Sequence, residues 1–322
     1  MRLGQEAKKS SKEDKQRREA SMSSVNAQQC VWIVGASTGI GAALAKLYAE
    51  KNPNVHLILS ARSEDKLNAL AATLAPVRCS VLALDVSENL TEAKVAESVA
   101  AIAPAIDAVV INAGTCEYMD SNKVDVEMAR RVMETNFFGA IQLTQIALPV
   151  LRAANAQGRT PHLVFVSSSV TYQSLPRAHA YGSSKAALRY FAECMRIDLQ
   201  KENIQVQVVS PGFVETPMTD QNDFDMPFIV SSADAAQKIY DGIQKNTFDI
   251  SFPKAFTWTL KALSKLPSRL RFAVLAKMSR HQMSNEDASK KEKVDADNAK
   301  LSALSNLGMN TVVDATPKDK DL

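Results

Sequence analysis

Cys30-Val31-Trp32-Ile33-Val34-Gly35-Ala36-Ser37-Thr38-Gly39-Ile40-Gly41 decides the fold: five apolar residues run into a glycine turn that opens a helix. The apolar run is continuous rather than alternating, which marks a strand buried on both faces. Glycines spaced GxxxGxG let the chain turn tightly and bring its backbone close to a pyrophosphate. The helix N–H groups and dipole then face that charge. Gly35, Ser37, Thr38, Gly39, Ile40 and Gly41 are therefore candidate dinucleotide-binding residues. The same letters also fit G-x-S-x-G, a hydrolase elbow with Ser37 as nucleophile. Such an elbow normally follows several strands, whereas this one follows the first. His56, His162, His179 and His281 show no spacing that favours one as its base, so a serine hydrolase is only a remote alternative.

Outward from this turn, short Val/Ile/Leu-rich runs alternate with longer stretches of helical period. The spacing predicts strands at 30–34, 55–60, 80–84, 107–111, 162–167, 204–209 and 248–252. It predicts helices at 40–51, 63–74, 88–102, 124–153 and 182–201. Alternation with short connections means right-handed βαβ crossovers. The expected fold is α/β, a doubly wound, Rossmann-like parallel sheet of about seven strands with helices on both faces. It occupies one domain, 28–253, followed by a basic amphipathic helical appendage at 254–280.

Of the 322 residues, 46% are hydrophobic and 23% charged, which excludes a chain disordered throughout, a collagen or a disulfide scaffold. A net charge of +3 is too small to indicate nucleic-acid binding. Cys30, Cys79, Cys116 and Cys194 lie far apart with no CxxC, the usage of a reducing cytosol without a zinc site. No apolar run approaches the roughly 20 residues of a membrane span, and the first thirty residues lack the apolar core of a secretory signal. Residues 1–27, mixed in charge, read as a disordered tail in which Met22 is a candidate start; 281–322 read as a flexible tail. The expected location is cytoplasmic, with a peripheral membrane contact left open.

In dinucleotide folds an acid about 20 residues past the glycines holds the ribose 2′-hydroxyl, and an arginine accommodates a 2′-phosphate. Counting from Gly41 reaches Ser60-Ala61-Arg62, so the position carries an arginine and NADP(H) is favoured over NAD(H). Asp85 ends the third strand and Asn112-Ala113-Gly114 follows the fourth, where open parallel sheets place ligands.

The region 163–185 sets a serine cluster, Ser167-Ser168-Ser169, at a strand end, and then Tyr181 and Lys185 four apart on one helix face. With these in place the chain resembles a short-chain dehydrogenase/reductase of the single-domain type. The resemblance rests on Gly35-x3-Gly39-x-Gly41, Asp85, Asn112-Ala113-Gly114, Asn136 in Thr135-Asn136-Phe137-Phe138-Gly139, Ser168, Tyr181-x3-Lys185, and Pro211-Gly212 with Thr216. It spans about residues 30–252, and the ordered set is far more specific than any one motif. Two departures stand out: Val34 replaces a frequent threonine, and the glycine turn holds no basic residue, so the NADP(H) expectation rests on Arg62.

The resemblance implies a carbonyl–alcohol oxidoreductase in which Tyr181 is the general acid/base and Ser168 donates to the developing oxyanion. Lys185 would lower the Tyr181 pKa and hold the nicotinamide ribose, and Asn136 would serve a proton relay behind it. Pro211, Gly212 and Thr216 would meet the nicotinamide carboxamide. It also implies a homodimer or homotetramer paired through the helices near 124–153 and 182–201. A catalytically idle dinucleotide-binding sensor or scaffold is the alternative from another class.

Pro217 to Val230 is irregular and carries Met218, Phe224, Met226, Phe228 and Ile229, the composition either of a lid over a lipophilic substrate or of a small satellite core. Residues 254–280 hold seven basic residues and no acid, with Phe256, Leu260, Leu263 and Leu266 at helical spacing before Pro267. That pattern fits an interfacial membrane helix, a cap on the cleft, or a dimer contact.

Overall fold

A computed structural model describes residues 28–88, 92–222 and 224–277. The tails expected at 1–27 and 281–322, Met22 among them, lie outside the described residues, as does 278–280 of the basic segment. The described residues up to Pro267 form one compact unit, and those from Ser268 belong to another.

The first unit is built on seven strands: β1 (Cys30–Val34), β2 (His56–Ala61), β3 (Arg78–Ala83), β4 (Ala108–Ile111), β5 (His162–Val166), β6 (Gln205–Pro211) and β7 (Asp249–Phe252). They pair in parallel in the order β3-β2-β1-β4-β5-β6-β7. The strand order reverses between β1 and β4, and ligand crevices open at such a reversal.

Helices α1 (Gly39–Lys51), α2 (Glu64–Thr73), α3 (Glu92–Ile102), α4 (Val126–Met133), α5 (Gly139–Ala156), α6 (His179–Asp198), α7 (Ser232–Gln244) and α8 (Lys254–Ser264) complete the chain order. Side chains alternate across each strand, so the sheet feeds two cores. Trp32, Ile58, Val109 and Phe165 meet Val99 of α3, Leu143 and Leu151 of α5, and Leu188 of α6. Ile33, Leu57, Val110 and Val164 meet Leu44 of α1, Leu67 of α2 and Ile239 of α7.

Side-chain caps start three of the helices: Ser63 Oγ accepts from Lys66 N (3.4 Å), Asp125 from Met128 N (2.9 Å) and Ser231 from Asp234 N (3.0 Å).

The elements depart from expectation in instructive places. The helix expected at 124–153 is α4 and α5 joined by a π-helical turn, Glu134–Phe138. Within the run Val126–Ala156 an 18-residue window is apolar enough to cross a membrane by composition, a property that a buried core helix shares. Half of that window is buried in the fold, with Leu143, Ile146, Ala147, Val150 and Leu151 in the core. Helix α7, absent from the expected helices, buries Ala235, Ala236, Ile239, Gly242 and Ile243 on one face. Helix α8 packs within the first unit, burying Thr257 and Leu260, and Phe256 lies so close to Gly212 that a Cβ there would meet its ring at 2.8 Å. Residues 254–264 are thus part of the folded body rather than an appendage. Pro267 breaks the helical run as expected, and residues 268–277 are again helical.

Candidate active site

The candidate residues expected after strands β1 to β6 lie at one edge of the sheet. Gly35, directly after β1, adopts φ +83°, and Gly39 follows at φ +55°, both in the region that side chains disfavour. A Cβ on Gly35 would stand 2.7 Å from the backbone N of Ala113, so the crossing of β1 and β4 needs glycine here. Asn112 Nδ2 donates to Gly35 O (2.9 Å), locking the Asn112-Ala113-Gly114 turn to the glycine turn across the crevice. No side chain caps α1 and no acid stands in its first turn. Its N-terminus is therefore suited to an anion.

A cavity of about 770 Å³ lies over this edge, and Ser37, Thr38, Arg62, Tyr181, Lys185 and Thr216 all line it. Gly35, Gly39, Ile40, Asp85, Asn112, Ala113, Gly114, Pro211 and Gly212 line it too. Gly41 lies just behind, where a Cβ would collide with Gly35 O. Arg62 is exposed at the rim. Lys66, which the sequence reading passed over, joins it there; its place four residues beyond Arg62 at the start of α2 was the available signal. Asp85 Oδ1 accepts from Ser87 N (2.9 Å) and Ser87 Oγ (2.7 Å), so this carboxylate also shapes its own turn. The histidines are engaged away from Ser37: His56 with Ser80, His162 with Gln207, and His179 with Met119 O, His281 being outside the described residues.

At the other half of the cavity Tyr181 and Lys185 project from the first turns of α6. Ser168 starts a short 3-10 turn after β5, its Oγ accepting from Val170 N (3.2 Å) and its hydroxyl tending to lower the pKa of the Tyr181 phenol. Ser167 lines the cavity but donates its hydroxyl to Lys185 O (3.2 Å), and Ser169 is buried. Asn136 sits in the π-helical turn, almost fully buried, with every contact of its amide directed inward. Its Oδ1 accepts from Thr115 N (2.8 Å), while Nδ2 donates to Thr115 O and to Ser184 Oγ (2.9 Å each). The extra residue per turn of the π segment is what swings this side chain to the loop after β4. A Cβ on Gly114 would approach Lys185 Nζ to 3.2 Å and Asn136 Oδ1 to 3.1 Å, so Gly114 completes this cluster.

The electrostatics differ from the expectation that Lys185 lowers the phenol. Burial pushes the Tyr181 hydroxyl above the usual phenol value, nearby Cys116 adds to the rise, and the Ser168 hydroxyl opposes it. Burial also pushes Lys185 down from 10.5 to about 8. Its Nζ donates to Val166 O (3.0 Å) and stands 6.0 Å from the centre of the Tyr181 ring. Desolvation outweighs the ammonium's pull at this separation, and both groups shift toward neutrality.

A family model for short chain dehydrogenases matches residues 29–226. An uncharacterized oxidoreductase of Myxococcus xanthus (strain DK1622) is 31% identical over 240 residues, covering 74% of this chain and 92% of that protein. The 11-beta-hydroxysteroid dehydrogenase 1A of Arabidopsis thaliana is 31% identical over 250 residues, covering 71% of this chain and 69% of its own. Among solved structures, a short-chain dehydrogenase from Sphingobium yanoikuyae in complex with NADPH has a TM-score of 0.62 at 23% identity, covering 80% of this chain and 95% of that one. A short chain dehydrogenase/reductase from Burkholderia phymatum in complex with NAD has a TM-score of 0.65 at 20% identity, covering 73% and 92%. These two structures speak for the fold.

Proposed function

The chain belongs to the short-chain dehydrogenase family and is an oxidoreductase acting on CH–OH groups, and we propose that it uses NADP(H) to interconvert a lipophilic ketone or aldehyde with its alcohol. The observation that carries this reading is that Tyr181 and Lys185 line one cavity with the glycine turn, with Ser168 lowering the pKa of the Tyr181 phenol from behind the cavity wall. The residues fit a dinucleotide: an uncapped helix N-terminus, glycines at positive φ, and two basic side chains at the rim. Gly35, Ser37, Thr38, Gly39, Ile40 and Gly41 would cradle its pyrophosphate. Arg62, with Lys66 beside it, would pair the 2′-phosphate. Asp85 would face the adenine side, and Asn112-Ala113-Gly114 the ribose. Pro211, Gly212 and Thr216 would meet the carboxamide.

When bound, the reduced nicotinamide supplies the hydride that a carbonyl carbon accepts. The chain's own part is to handle the proton. Tyr181, held protonated by burial, gives its proton to the substrate oxygen. Ser168 donates a hydrogen bond to that oxygen as charge develops on it. The Lys185 ammonium then attracts the phenolate left behind, and the Asn136 amide fixes the Thr115 backbone beside it. The apolar side chains of the 217–230 segment favour a lipophilic substrate, and the hydroxysteroid dehydrogenase named among the relatives agrees with that class.

Two finer features belong to the same reading. Phe138, Tyr190 and Ile197 are exposed on the long helical elements, as pairing into a homodimer or homotetramer requires. Trp258 (69% exposed) stands on α8 with Lys254, Lys261 and Lys265 close by in sequence and no acid from 254 to 267. That combination supports peripheral contact with an anionic lipid surface.

The deciding experiment follows NADPH consumption over a panel of ketones and aldehydes. Turnover is expected with wild type and abolished in Tyr181→Phe, with NADPH binding retained. Substantial turnover by that variant removes Tyr181 from the acid role, and cofactor binding without any wild-type turnover overturns the reductase reading.

A further inference from the structure

We propose that Asp249 is a positioning residue for the reaction, its carboxylate fixing the turn after β5, helix α6 and the end of β6 against one another; the proposal rests on the reductase reading.

Asp249 opens β7, the edge strand, level with Val208 of β6. It does not line the cavity. Its two oxygens nonetheless collect partners from four other elements. The Tyr172 hydroxyl donates to both, at 2.7 and 2.8 Å. Ser210 Oγ donates to Oδ1 (2.9 Å), and Lys261 Nζ of α8 donates to Oδ2 (3.1 Å). Arg189 of α6 completes the cluster, its Nη1 standing 3.5 Å from Oδ1 and 3.4 Å from Ser210 Oγ. The Arg189 and Lys261 cations also flank the Tyr172 ring, 5.3 and 4.2 Å from its centre. Glu193, one turn on from Arg189, accepts from its Nε at 3.0 Å, so two acids meet two bases.

The place of each partner in the chain is what points to the site. Tyr172 closes the turn that Ser168 starts, where Thr171 N donates to Ser168 O (3.2 Å) and Tyr172 N to Ser169 O (3.0 Å). Arg189 follows Lys185 by one helical turn on α6, and Tyr181 by two. Ser210 directly precedes Pro211 and Gly212, which line the cavity. Lys261 lies on the helix whose Phe256 packs against Gly212. One carboxylate thus ties together the stretches that carry the serine, the tyrosine with its lysine, and the expected carboxamide contacts. A first tie between β5 and α6 is made by Lys185 Nζ donating to Val166 O and Ser167 Oγ to Lys185 O. A helix held at one point can still pivot about it, and Asp249 supplies the second point.

The arrangement calls for a charged group. Burial alone would raise the Asp249 carboxyl, and its partners hold it below the ordinary value, so it is ionised at neutral pH. Asparagine keeps the shape but turns an NH2 toward donors, which leaves one of them without an acceptor. A small misplacement of reacting groups is costly, about a hundredfold in rate for 1 Å. A cluster that served stability alone would leave the rate per folded site untouched. Asp107 provides the comparison. It is a carboxylate of similar exposure (16% against 20%) at the opposite edge of the sheet, accepting from Arg159 Nη1 (2.8 Å) and Cys30 N (2.7 Å).

The test has two arms on the full chain. Single-turnover oxidation of bound NADPH by a ketone reads the chemical step, with sites counted by NADPH titration. Asp249→Asn should slow that step about tenfold, with the ketone KM and the NADPH Kd within about twofold of wild type. Tyr172→Phe should slow it about threefold, and the double variant should be no slower than Asp249→Asn, because both act through one contact. Asp107→Asn should also melt early but keep the wild-type rate per site. In the second arm, hydrogen–deuterium exchange of amides in 168–172 and 181–189 should be about fivefold faster in Asp249→Asn than in Asp107→Asn. A wild-type rate per site in Asp249→Asn, an equal slowing in Asp107→Asn, or equal exchange in the two overturns the proposal. Tyr172→Phe decides should Asp249→Asn not fold. A wild-type protein inert toward every ketone sinks the reductase reading instead, and the exchange arm then decides whether Asp249 holds these segments.

Discussion

Lys185→Met should make the protein more stable and catalytically dead. The buried ammonium titrates at about 8 instead of 10.5 because burial penalises its charged form. At about 1.4 kcal/mol per pH unit, that gap means folding at neutral pH carries a cost of about 3 kcal/mol for this one charge. The sign follows from proton counting. Below pH 8 the lysine is charged in both folded and unfolded chains, and the cost is present in full. Between pH 8 and 10.5 the folded chain gives up its proton while the unfolded chain keeps it, so stability rises with pH. Above that window both are neutral and the cost is gone. Methionine has nearly the same length without the charge, but it forfeits the bond from Nζ to Val166 O (3.0 Å), about 1 kcal/mol. The net gain is then about 2 kcal/mol at pH 7, or a rise in Tm of about 4–8 °C for a body of this size. Paired thermal and urea melts of the two proteins at pH 7 and pH 10 measure it. The variant's advantage should be clear at pH 7 and vanish or reverse at pH 10. A destabilised variant at pH 7, or a difference independent of pH, would refute the reasoning.

Arg62→Asp should lower the NADPH/NADH preference in kcat/KM by about 30-fold, the loss of a charge-assisted pair plus new repulsion; an unchanged ratio removes Arg62 from 2′-phosphate recognition. Asp249→Asn should cost about 2 kcal/mol in urea melts, because the carboxylate accepts from Tyr172, Ser210 and Lys261 (2.7–3.1 Å) with Arg189 at 3.5 Å. Burial alone would raise that carboxyl, but these partners outweigh it and hold it below its ordinary value. Wild type's advantage is therefore full at neutral pH and should shrink as pH falls below about 4. Wild type should sediment with anionic vesicles and not with neutral ones, and Lys254→Glu with Lys265→Glu and Trp258→Ala should lose that binding. Surface substitution is the right perturbation because deleting α8 would remove the buried Thr257 and Leu260.

The parts of this molecule that the sequence announces are those governed by local rules. A parallel strand buried on both faces is written as an unbroken apolar run, so all seven strands were found within two residues of their ends. The glycine turn is equally local, since backbone sterics at Gly35 and Gly39 allow little else. Topology then follows, because right-handed crossovers leave few ways to order such strands, and every strand's C-terminal residue arrives at one edge. What escaped was non-local. Helix α7 carries Ala235, Ala236, Ile239 and Ile243 at helical spacing, but the close approach of its Gly242 to Ile250 shows only once β7 is in place. Lys66 matters only once α2 is turned toward the cavity, and α8 joins the folded body through Phe256 lying against Gly212.

The same distinction explains the one sign that reversed. Spacing puts an ammonium one helical turn from a phenol, and from spacing alone Coulomb attraction predicts a more acidic tyrosine. Whether that attraction wins depends on how much water each group loses, a property of the whole enclosure that no pair of residues encodes. Here Lys185 is nearly inaccessible and its Nζ is turned to Val166 O, so desolvation sets both values. A protonated phenol beside a weakly held ammonium is suited to giving a proton rather than taking one, which favours carbonyl reduction near neutral pH. If so, the reductive kcat should fall as pH rises through about 8, where Lys185 loses its charge, and the fall should vanish in a variant whose position 185 cannot titrate yet retains measurable turnover. A flat reductive profile from pH 6 to 10 would mean that the ammonium takes no part in stabilising the phenolate left by the departing proton.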